Sequence, residues 1–338
     1  MDGRSENIFH RHEAAILAEV ARRYDTAPAG MIKHGSFESQ VYEFRYREQD
    51  RILKLTHSIH RTPELVEAEV DWVTYLALHG VPVCRPTLSI NNRLIEVIDG
   101  HTVGDLGDDF FIAYSFEKAD GRLTRPNDWD EDLIVLWGRA LGRMHRATKA
   151  YRPPHNGTRR FHWHDDPILA RQGKLSTQPL VAAKWRESTV KLRSFPVDED
   201  SYGLIHSDVH HGNFVVNDGG GICIFDFDDC HYGWFGFDIS IPLFYALRDE
   251  AIDPNDAGYA RRFMHRFMTG YSQENRLDAA WIKRIPDFMK FREIDLYSVI
   301  VVEGAEEING WCRRYMKDRR HRIEHDIPVI DLDFSEFA

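Results

Sequence analysis

Two short apolar runs separated by a polar turn constrain this chain more than any other feature of its sequence. The runs are 214–216 and 222–225, and Asn217, Asp218 and three glycines lie between them. Because apolar runs that flank such a turn are typical of a β-hairpin, we predict two antiparallel strands. The polar side chains before the first strand and after the second are His206, Asp208, Asn213, Asp226, Asp228 and Asp229. Since a hairpin folds back on itself, these two sets should meet at one end.

The polar end of this hairpin predicts a site for phosphoryl transfer. Carboxylates that converge repel each other, and a hard divalent cation bound by oxygen ligands relieves that repulsion. Asn213 and Asp226 supply such ligands, and Asp208, five residues before Asn213, is placed to accept a proton. Phosphoryl transfer requires a base that orients the attacking hydroxyl and metal ions that neutralise charge on the phosphates. The alternative interpretation is a solvated turn rich in Asp and Asn.

The segment from His206 to Asp228 resembles the catalytic core of the aminoglycoside phosphotransferase and choline kinase families, which are relatives of the protein kinases. The resemblance rests on His-x-Asp-x-x-x-x-Asn, followed by an apolar strand and Asp-Phe-x-Asp. It implies that Asp208 is the catalytic base. The implied metal residues are Asn213, Asp226 and Asp228, with Mg²⁺ as the cofactor and ATP as the phosphoryl donor.

A glycine and a serine upstream are the first candidates for nucleotide binding. Gly35 and Ser36 precede a predicted strand in which Tyr42, Phe44 and Tyr46 alternate with polar residues. Their backbone N–H groups could approach a phosphate, and the stretch resembles the phosphate-covering loop of the kinase-like fold. Without its neighbours, the same stretch is typical of an ordinary hairpin turn.

A lysine and a glutamate form the second nucleotide-binding candidate. Lys54 interrupts a short apolar strand, and a helix is predicted over 62–79 because Thr62 can cap it. Glu69 lies on the apolar face of this helix, where a buried carboxylate needs a partner. We therefore predict a Lys54–Glu69 ion pair. The resemblance implies that the lysine binds the α- and β-phosphates and that the glutamate holds it in place.

Two later segments complete the candidate site. The stretch 110–121 predicts a strand that runs into a turn, and the resemblance implies that the backbone near Phe116 and Lys118 meets the adenine. Glu303 and Glu307 share one face of a predicted late helix. The resemblance implies that late helices build the acceptor pocket and that acidic residues there bind amines, so we predict that this pair binds an amine of the acceptor. A solvated acidic face is the alternative for this pair.

The length of 338 residues suits two lobes, and the resemblance implies a two-lobed α+β fold of the protein-kinase-like type. Residues 1–116 should form a nucleotide-binding lobe with a small antiparallel β-sheet, and residues 117–338 a mainly helical lobe for catalysis and acceptor binding. The resemblance implies that ATP and Mg²⁺ bind in the cleft between the lobes and that the γ-phosphoryl group moves to a hydroxyl of a small molecule. Aminoglycoside, amino alcohol, homoserine and sugar acceptors all stay open. The alternatives are a Ser/Thr protein kinase of the same family and a catalytically silent nucleotide-binding protein.

The net charge and the hydropathy of the chain limit the classes of molecule that it is expected to bind. The formal net charge of −11 argues against a nucleic-acid partner and agrees with a cationic substrate. No apolar run is long enough to cross a bilayer and the N-terminus lacks a hydrophobic signal segment, so we expect a cytoplasmic protein without a membrane partner. The sequence leaves the oligomeric state open.

Overall fold

The structure is a computed structural model that describes residues 3–36, 39–104, 106–154, 159–165, 175, 177–303 and 310–338. The chain forms two compact units. The first comprises Met1–Asp120 and Tyr151–Arg160, and the second comprises Gly121–Ala150 and Phe161–Ala338. The functional division expected between residues 116 and 117 stays a prediction.

The first unit is built on an antiparallel sheet, which among its described residues has six strands. The strands are β1 (Ile32–Ser36), β2 (Ser39–Tyr46), β3 (Gln49–His57), β4 (Pro86–Thr87), β5 (Ile95–Asp99) and β6 (Phe110–Glu117). Their order is β1-β2-β3-β6-β4, and β5 also pairs with β6. The helices of this unit are α1 (Gly3–Arg23), α2 (Pro63–Leu78) and α3 (Gly100–Val103). This arrangement confirms the predicted antiparallel sheet.

Helix α2 begins where its capping signal predicts. The hydroxyl of Thr62 accepts a hydrogen bond from the backbone N–H of Leu65 at 3.4 Å, and Pro63 occupies the first helical position. Trp72 and Leu76 are fully buried on the apolar face, and Glu69 is buried among them. The prediction that this carboxylate lies inside the protein is therefore confirmed.

The second unit is mainly helical. Its helices are α4 (Glu131–Ala150), α5 (Pro179–Arg193), α6 (Phe235–Ala246), α7 (Ala257–Tyr271), α8 (Ala279–Ile282), α9 (Ile285–Glu303), α10 (Gly310–Met316) and α11 (Arg319–Glu324). Its short strands are β7 (Tyr202–Ile205), β8 (Phe214–Val216), β9 (Ile222–Ile224) and β10 (His231–Trp234). Within the described ranges, no helix is both long and apolar enough to cross a membrane.

Helices α4 and α7 approach each other closely at glycines. A Cβ atom on Gly138 would lie 2.0 Å from the carbonyl oxygen of Phe267, and one on Gly270 would lie 1.8 Å from that of Val135. Because any other residue would clash with backbone, only glycine permits this approach. Helix α4 also packs against β7, the strand that leads into residues 206–213, the catalytic loop that carries Asp208.

Candidate active site

The β8–β9 hairpin joins the two polar segments as predicted. Phe214 is paired with Ile224, and the N–H of Phe225 donates to the carbonyl oxygen of Asn213 at 2.9 Å. This bond places Asn213 beside the residue that precedes Asp226. The hairpin therefore brings the end of the catalytic loop to the start of the Asp-Phe-Asp segment, which confirms the predicted strand pairing.

Among the residues that the structure describes, three donors contact the carboxylate of Asp208. Asn213 Nδ2 lies 3.2 Å from Oδ2 and also donates to the Asp208 carbonyl oxygen at 2.8 Å. His210 Nε2 lies 3.3 Å from Oδ2, and Arg292 Nη2 donates to Oδ1 at 2.7 Å. Both carboxylate oxygens are thus bound, which fixes the orientation of the side chain.

The tautomer of His210 follows from its second contact. The backbone N–H of Gly212 donates to His210 Nδ1 at 2.9 Å, so Nδ1 acts as an acceptor. Nε2, the ring atom that faces Asp208, is then the one that carries a proton. His210 is consequently a donor to the Asp208 carboxylate.

These contacts lower the pKa of Asp208. Burial alone would raise that pKa, but attraction to His210 and Arg292 and the hydrogen bond from His210 outweigh burial and hold it well below its usual range. Asp208 is therefore ionised at neutral pH and is a weak base. A weak base suits a loose transition state, in which the carboxylate orients the hydroxyl and takes its proton late.

A buried carboxylate in helix α6 binds the backbone of the catalytic loop. Asp238, in the first turn of α6, accepts hydrogen bonds from the backbone N–H of His206 at 2.9 Å and of Ser207 at 2.6 Å. His145 of α4 contacts the same carboxylate at 3.1 Å. Asp238 thus holds the backbone of the catalytic loop in place through these hydrogen bonds.

His206 links the catalytic loop to the hairpin. Its Nδ1 accepts the backbone N–H of Asp208 at 3.3 Å, which leaves the proton on Nε2. Nε2 then donates to the carbonyl oxygen of Phe225 at 3.0 Å. His206 thus ties the backbone of the catalytic loop to the end of the hairpin.

The predicted metal residues present hard oxygen donors. Asn213 Nδ2 donates twice to Asp208, so its amide Oδ1 is the atom that remains for a cation. Asp226 is exposed and Asp228 is half-buried. No group of three or more His, Cys, Asp or Glu in the described ranges could hold a metal. The amide oxygen of Asn213 and the carboxylates of Asp226 and Asp228 are of the donor type that Mg²⁺ takes, since Mg²⁺ binds one or two carboxylates and completes its shell with waters and substrate phosphates.

In the first unit, the structure places Lys54 and Glu69 in buried positions. Lys54 is on β3, paired with Val41 of β2 and Tyr114 of β6, and Glu69 of α2 is only 1% exposed. Arg160, which the sequence did not indicate, lies with Nη1 3.9 Å from Glu69 Oε2. The Lys54–Glu69 pair stays a prediction, and Arg160 is an additional cation at that carboxylate.

The other nucleotide-binding candidates lie at strand ends of the first unit. Gly35 and Ser36 end β1, where Gly35 is exposed and an added Cβ would meet no atom of the described residues within 4 Å. Phe116 lies in β6, and the backbone N–H of Lys118 donates to the carbonyl oxygen of Asp50 at 3.1 Å. Their contacts with phosphate and adenine stay predictions.

The acceptor-binding candidates fall at the edge of the described residues. Glu303 is the last residue of α9, and its side chain lies outside them, as does the whole of Glu307. Their role in acceptor binding stays a prediction. Trp311 of α10 stacks against Tyr245 with ring centroids 6.1 Å apart.

Sequence reasoning missed Arg292 and Tyr245, which lie close to Asp208. Arg292 is on α9 and donates through Nη2 to the Tyr245 hydroxyl at 2.7 Å as well as to Asp208. A buried arginine on a helix with apolar neighbours signals that a carboxylate is near. That signal does not say which carboxylate, since 84 residues separate Arg292 from Asp208.

Comparison with known proteins identifies the family. The model of the phosphotransferase enzyme family (APH) matches residues 32–274, which is more than half of the chain and includes the catalytic loop and the hairpin. The chain belongs to the phosphotransferase enzyme family. This finding confirms the resemblance drawn from the His206–Asp228 segment.

Individual relatives of this phosphotransferase are small-molecule kinases. The present chain is 34% identical over 333 residues to the amicoumacin kinase of Bacillus subtilis (strain 168), and the match covers 98% of this chain and 97% of the relative. It is similar over the full length of both chains to amicoumacin kinase hAmiN in complex with AMP-PNP, Ca²⁺ and Ami, with a TM-score of 0.91 and 32% identity.

A more distant structure shares the fold alone. The microcompartment-associated aminopropanol kinase has a TM-score of 0.71 at 21% identity, covering 93% of this chain and 98% of that chain. Together these findings confirm the kinase-like fold. They also confirm that the protein is a small-molecule kinase, which transfers a phosphoryl group to a hydroxyl, and favour that activity over the two alternatives.

Proposed function

We propose that this phosphotransferase is an amicoumacin kinase, which moves the γ-phosphoryl group of ATP to a hydroxyl of amicoumacin. The observation that carries the proposal is the similarity over nearly the whole chain to the amicoumacin kinase of Bacillus subtilis, at 34% identity. The donor is ATP and the cofactor is Mg²⁺, as the sequence predicted. The hAmiN structure holds AMP-PNP, an analogue of ATP, and Ca²⁺, which is a divalent cation like Mg²⁺.

The reaction follows from the geometry at Asp208. Its carboxylate accepts a hydrogen bond from the acceptor hydroxyl and so aims the hydroxyl oxygen at the γ-phosphorus. A bond forms between that oxygen and phosphorus while the bond from phosphorus to the bridging β–γ oxygen breaks, and ADP leaves. The hydroxyl proton passes to Asp208, late in the reaction because the pKa of this carboxyl is lowered.

Other residues bind ATP, the phosphoryl donor, and its Mg²⁺ ion. Asn213, Asp226 and Asp228 would bind Mg²⁺, which neutralises charge on the phosphates when it is bound. Lys54 binds the α- and β-phosphates and Glu69 orients that lysine, while Gly35 and Ser36 cover the phosphates and the backbone near Phe116 and Lys118 meets the adenine. The buried positions of Lys54 and Glu69 support this assignment.

We also propose that the acceptor is cationic. The net charge of −11 supports this, and Glu303 and Glu307 are the residues proposed to bind its amine. A panel that contains both cationic and neutral acceptors tests the proposal, because kcat/KM should favour the cationic ones.

The deciding experiment measures ADP release with Mg·ATP and amicoumacin, aminoglycosides, amino alcohols, homoserine, neutral sugars or a generic protein. We expect amicoumacin to give the highest kcat/KM. The Asp208→Asn variant should lose at least about 100-fold in kcat, because it lacks the base, yet bind Mg·ATP with unchanged affinity by calorimetry.

Three outcomes would contradict these assignments. Turnover with another acceptor but not with amicoumacin would overturn the substrate, and turnover with protein alone would restore the protein-kinase alternative. Loss of nucleotide binding in a folded Asp208→Asn variant would remove Asp208 from the role of base.

A further inference from the structure

The carboxylate of Asp208 has few positions left for a substrate. An ionised carboxylate offers about four lone-pair sites. Three are taken by the donors described above, Arg292 Nη2 on Oδ1 and His210 Nε2 and Asn213 Nδ2 on Oδ2. About one site remains for the acceptor hydroxyl, so the direction of that lone pair depends on the three donors.

Arg292 differs from the other two donors because it comes from outside the catalytic loop. His210 and Asn213 belong to the loop that carries Asp208 and move with it. Arg292 belongs to α9, which packs against α6 and α5. Among these three donors, Arg292 is therefore the one that fixes the position of the Asp208 carboxylate relative to the packed helices of the second unit.

The guanidinium of Arg292 is itself held on two sides. Nη2 has two N–H bonds, and one donates to Asp208 while the other donates to the Tyr245 hydroxyl at 2.7 Å. Nη1 donates to Asp295 Oδ2 at 3.3 Å. Since the guanidinium group is planar, these bonds fix its plane and hence the side from which Oδ1 is approached.

Tyr245 connects the Arg292 guanidinium to His210, another donor to the Asp208 carboxylate. It is buried at the end of α6, and its ring packs against His210 with centroids 4.5 Å apart and an interplanar angle of 34°. One tyrosine thus supports both Arg292, through its hydroxyl, and His210, through its ring. The donors to Oδ1 and Oδ2 are therefore coupled through Tyr245.

We propose that Arg292 is a positioning residue for phosphoryl transfer, which orients the Asp208 carboxylate so that its remaining lone pair faces the acceptor hydroxyl. The inference rests on the proposed function, because it concerns the base of that reaction. It predicts a loss in kcat, since misorientation of the base raises the barrier, with little change in the KM for ATP.

The test compares Arg292→Ala, Arg292→Lys and a control, Arg284→Ala, with Mg·ATP and amicoumacin. Arg284 precedes α9, and its guanidinium packs on the rings of Phe195 at 4.7 Å and Trp281 at 4.4 Å. The control therefore removes a packed arginine near the same helix but away from Asp208. Thermal melting reports folding for each variant.

We expect Arg292→Ala to lower kcat by about 10- to 100-fold, the range for misplaced catalytic groups, with the KM for ATP changed by less than about 2-fold. Arg292→Lys should recover part of the loss, because it keeps the charge but not the planar donor pair. Guanidinium ion added at millimolar concentration should raise kcat of Arg292→Ala but not of Arg284→Ala. A residue needed only for folding would show no such rescue.

Several results would overturn the inference. An unchanged or increased kcat in Arg292→Ala would show that the arginine does not position the base, or that it restrains it. A raised KM for ATP with normal kcat would make Arg292 a nucleotide-binding residue. Lowered melting with no rescue by lysine or guanidinium would make its role structural.

The proposed function and this inference fail separately. If the wild type ignores amicoumacin but phosphorylates another acceptor of the panel, the substrate assignment fails and the Arg292 comparison is made with that acceptor. If the wild type phosphorylates amicoumacin and the Arg292 variants match it, the inference alone fails.

Discussion

Asp226 combines a charge with an uncommon backbone conformation. Its φ is +67°, in the left-handed region that aspartate and asparagine adopt more readily than other residues with a Cβ. It also directly follows Phe225, whose N–H bonds to Asn213 and so anchors this end of the hairpin. The side chain and the backbone at this position therefore make separate demands on the residue.

Two substitutions at Asp226 should separate these demands. Asp226→Asn keeps a residue suited to positive φ, so we expect stability within about 0.5 kcal/mol of wild type, whereas Asp226→Ala should lose about 1 kcal/mol. Both remove the carboxylate, and both should weaken Mg²⁺-dependent ATP affinity at least about 10-fold, as measured by calorimetry with and without Mg²⁺. Unchanged affinity in the stable Asn variant would remove Asp226 from the metal site.

The contrast between Asp238 and Asp208 shows how similar side chains acquire different roles. Asp238 is fully buried and accepts two backbone N–H bonds of the catalytic loop, so its oxygens are committed to structure. Asp208 is bound by side chains and keeps about one lone-pair site for a substrate. The surrounding donors decide which carboxylate does the chemistry.

At the scale of elements, one glutamate ties α7 to α4. Glu274 follows α7, and its carboxylate contacts Arg143 at 2.6 Å, Arg139 at 3.0 Å and Arg146 at 2.6 Å. The hydrogen bond from Arg143 is the largest cause that lowers the pKa of Glu274 to about 2, against the opposing effect of burial. The three arginines belong to α4, so this cluster supplements the glycine contacts between the two helices.

The Glu274 cluster predicts a pH dependence of stability. Because the folded pKa is about 2 and the usual value is 4.5, the stabilisation is complete above pH 4.5 and is lost as the pH falls towards 2. Glu274→Gln should lower the free energy of unfolding by about 1 kcal/mol at pH 7, and the difference should shrink below pH 4.5. Urea unfolding at several pH values measures this difference.

An exposed glutamate provides the control for this measurement. Glu250 lies 3.5 Å from Arg314 and is 61% exposed, so Glu250→Gln should have little effect on stability at any pH. A Glu274→Gln difference that stays constant from pH 7 to pH 3 would contradict the assignment of the pKa shift to the arginines.

At the scale of the whole molecule, ATP should stabilise the folded state only when Mg²⁺ is also present. Because Mg·ATP binds the native protein and not the unfolded chain, a concentration 100 times its Kd should add about 2.7 kcal/mol to the free energy of unfolding. Thermal melting with ATP, with Mg²⁺ and with both measures this effect. Equal stabilisation by ATP without Mg²⁺ would contradict a metal-dependent nucleotide site.

Local sequence signals were enough to predict several parts of the fold. The β8–β9 hairpin, the capped start of α2 and the burial of Glu69 all formed as expected. Each depends on residues within a few positions of one another, through turn chemistry, capping or helical periodicity. The motif from His206 to Asp228 likewise identified the family because its spacing reflects one loop and one hairpin.

Long-range partners were beyond such signals. The cations beside Asp208 and Glu69, Arg292 and Arg160, lie far along the chain from those carboxylates, and in the case of Arg292 the separation is 84 residues. Local periodicity reports that a charge is buried but not which distant side chain neutralises it. The cation that pairs with each carboxylate depends on how α9 packs and on where Tyr151–Arg160 joins the first unit. Both are determined by the burial of apolar surface when the whole chain folds.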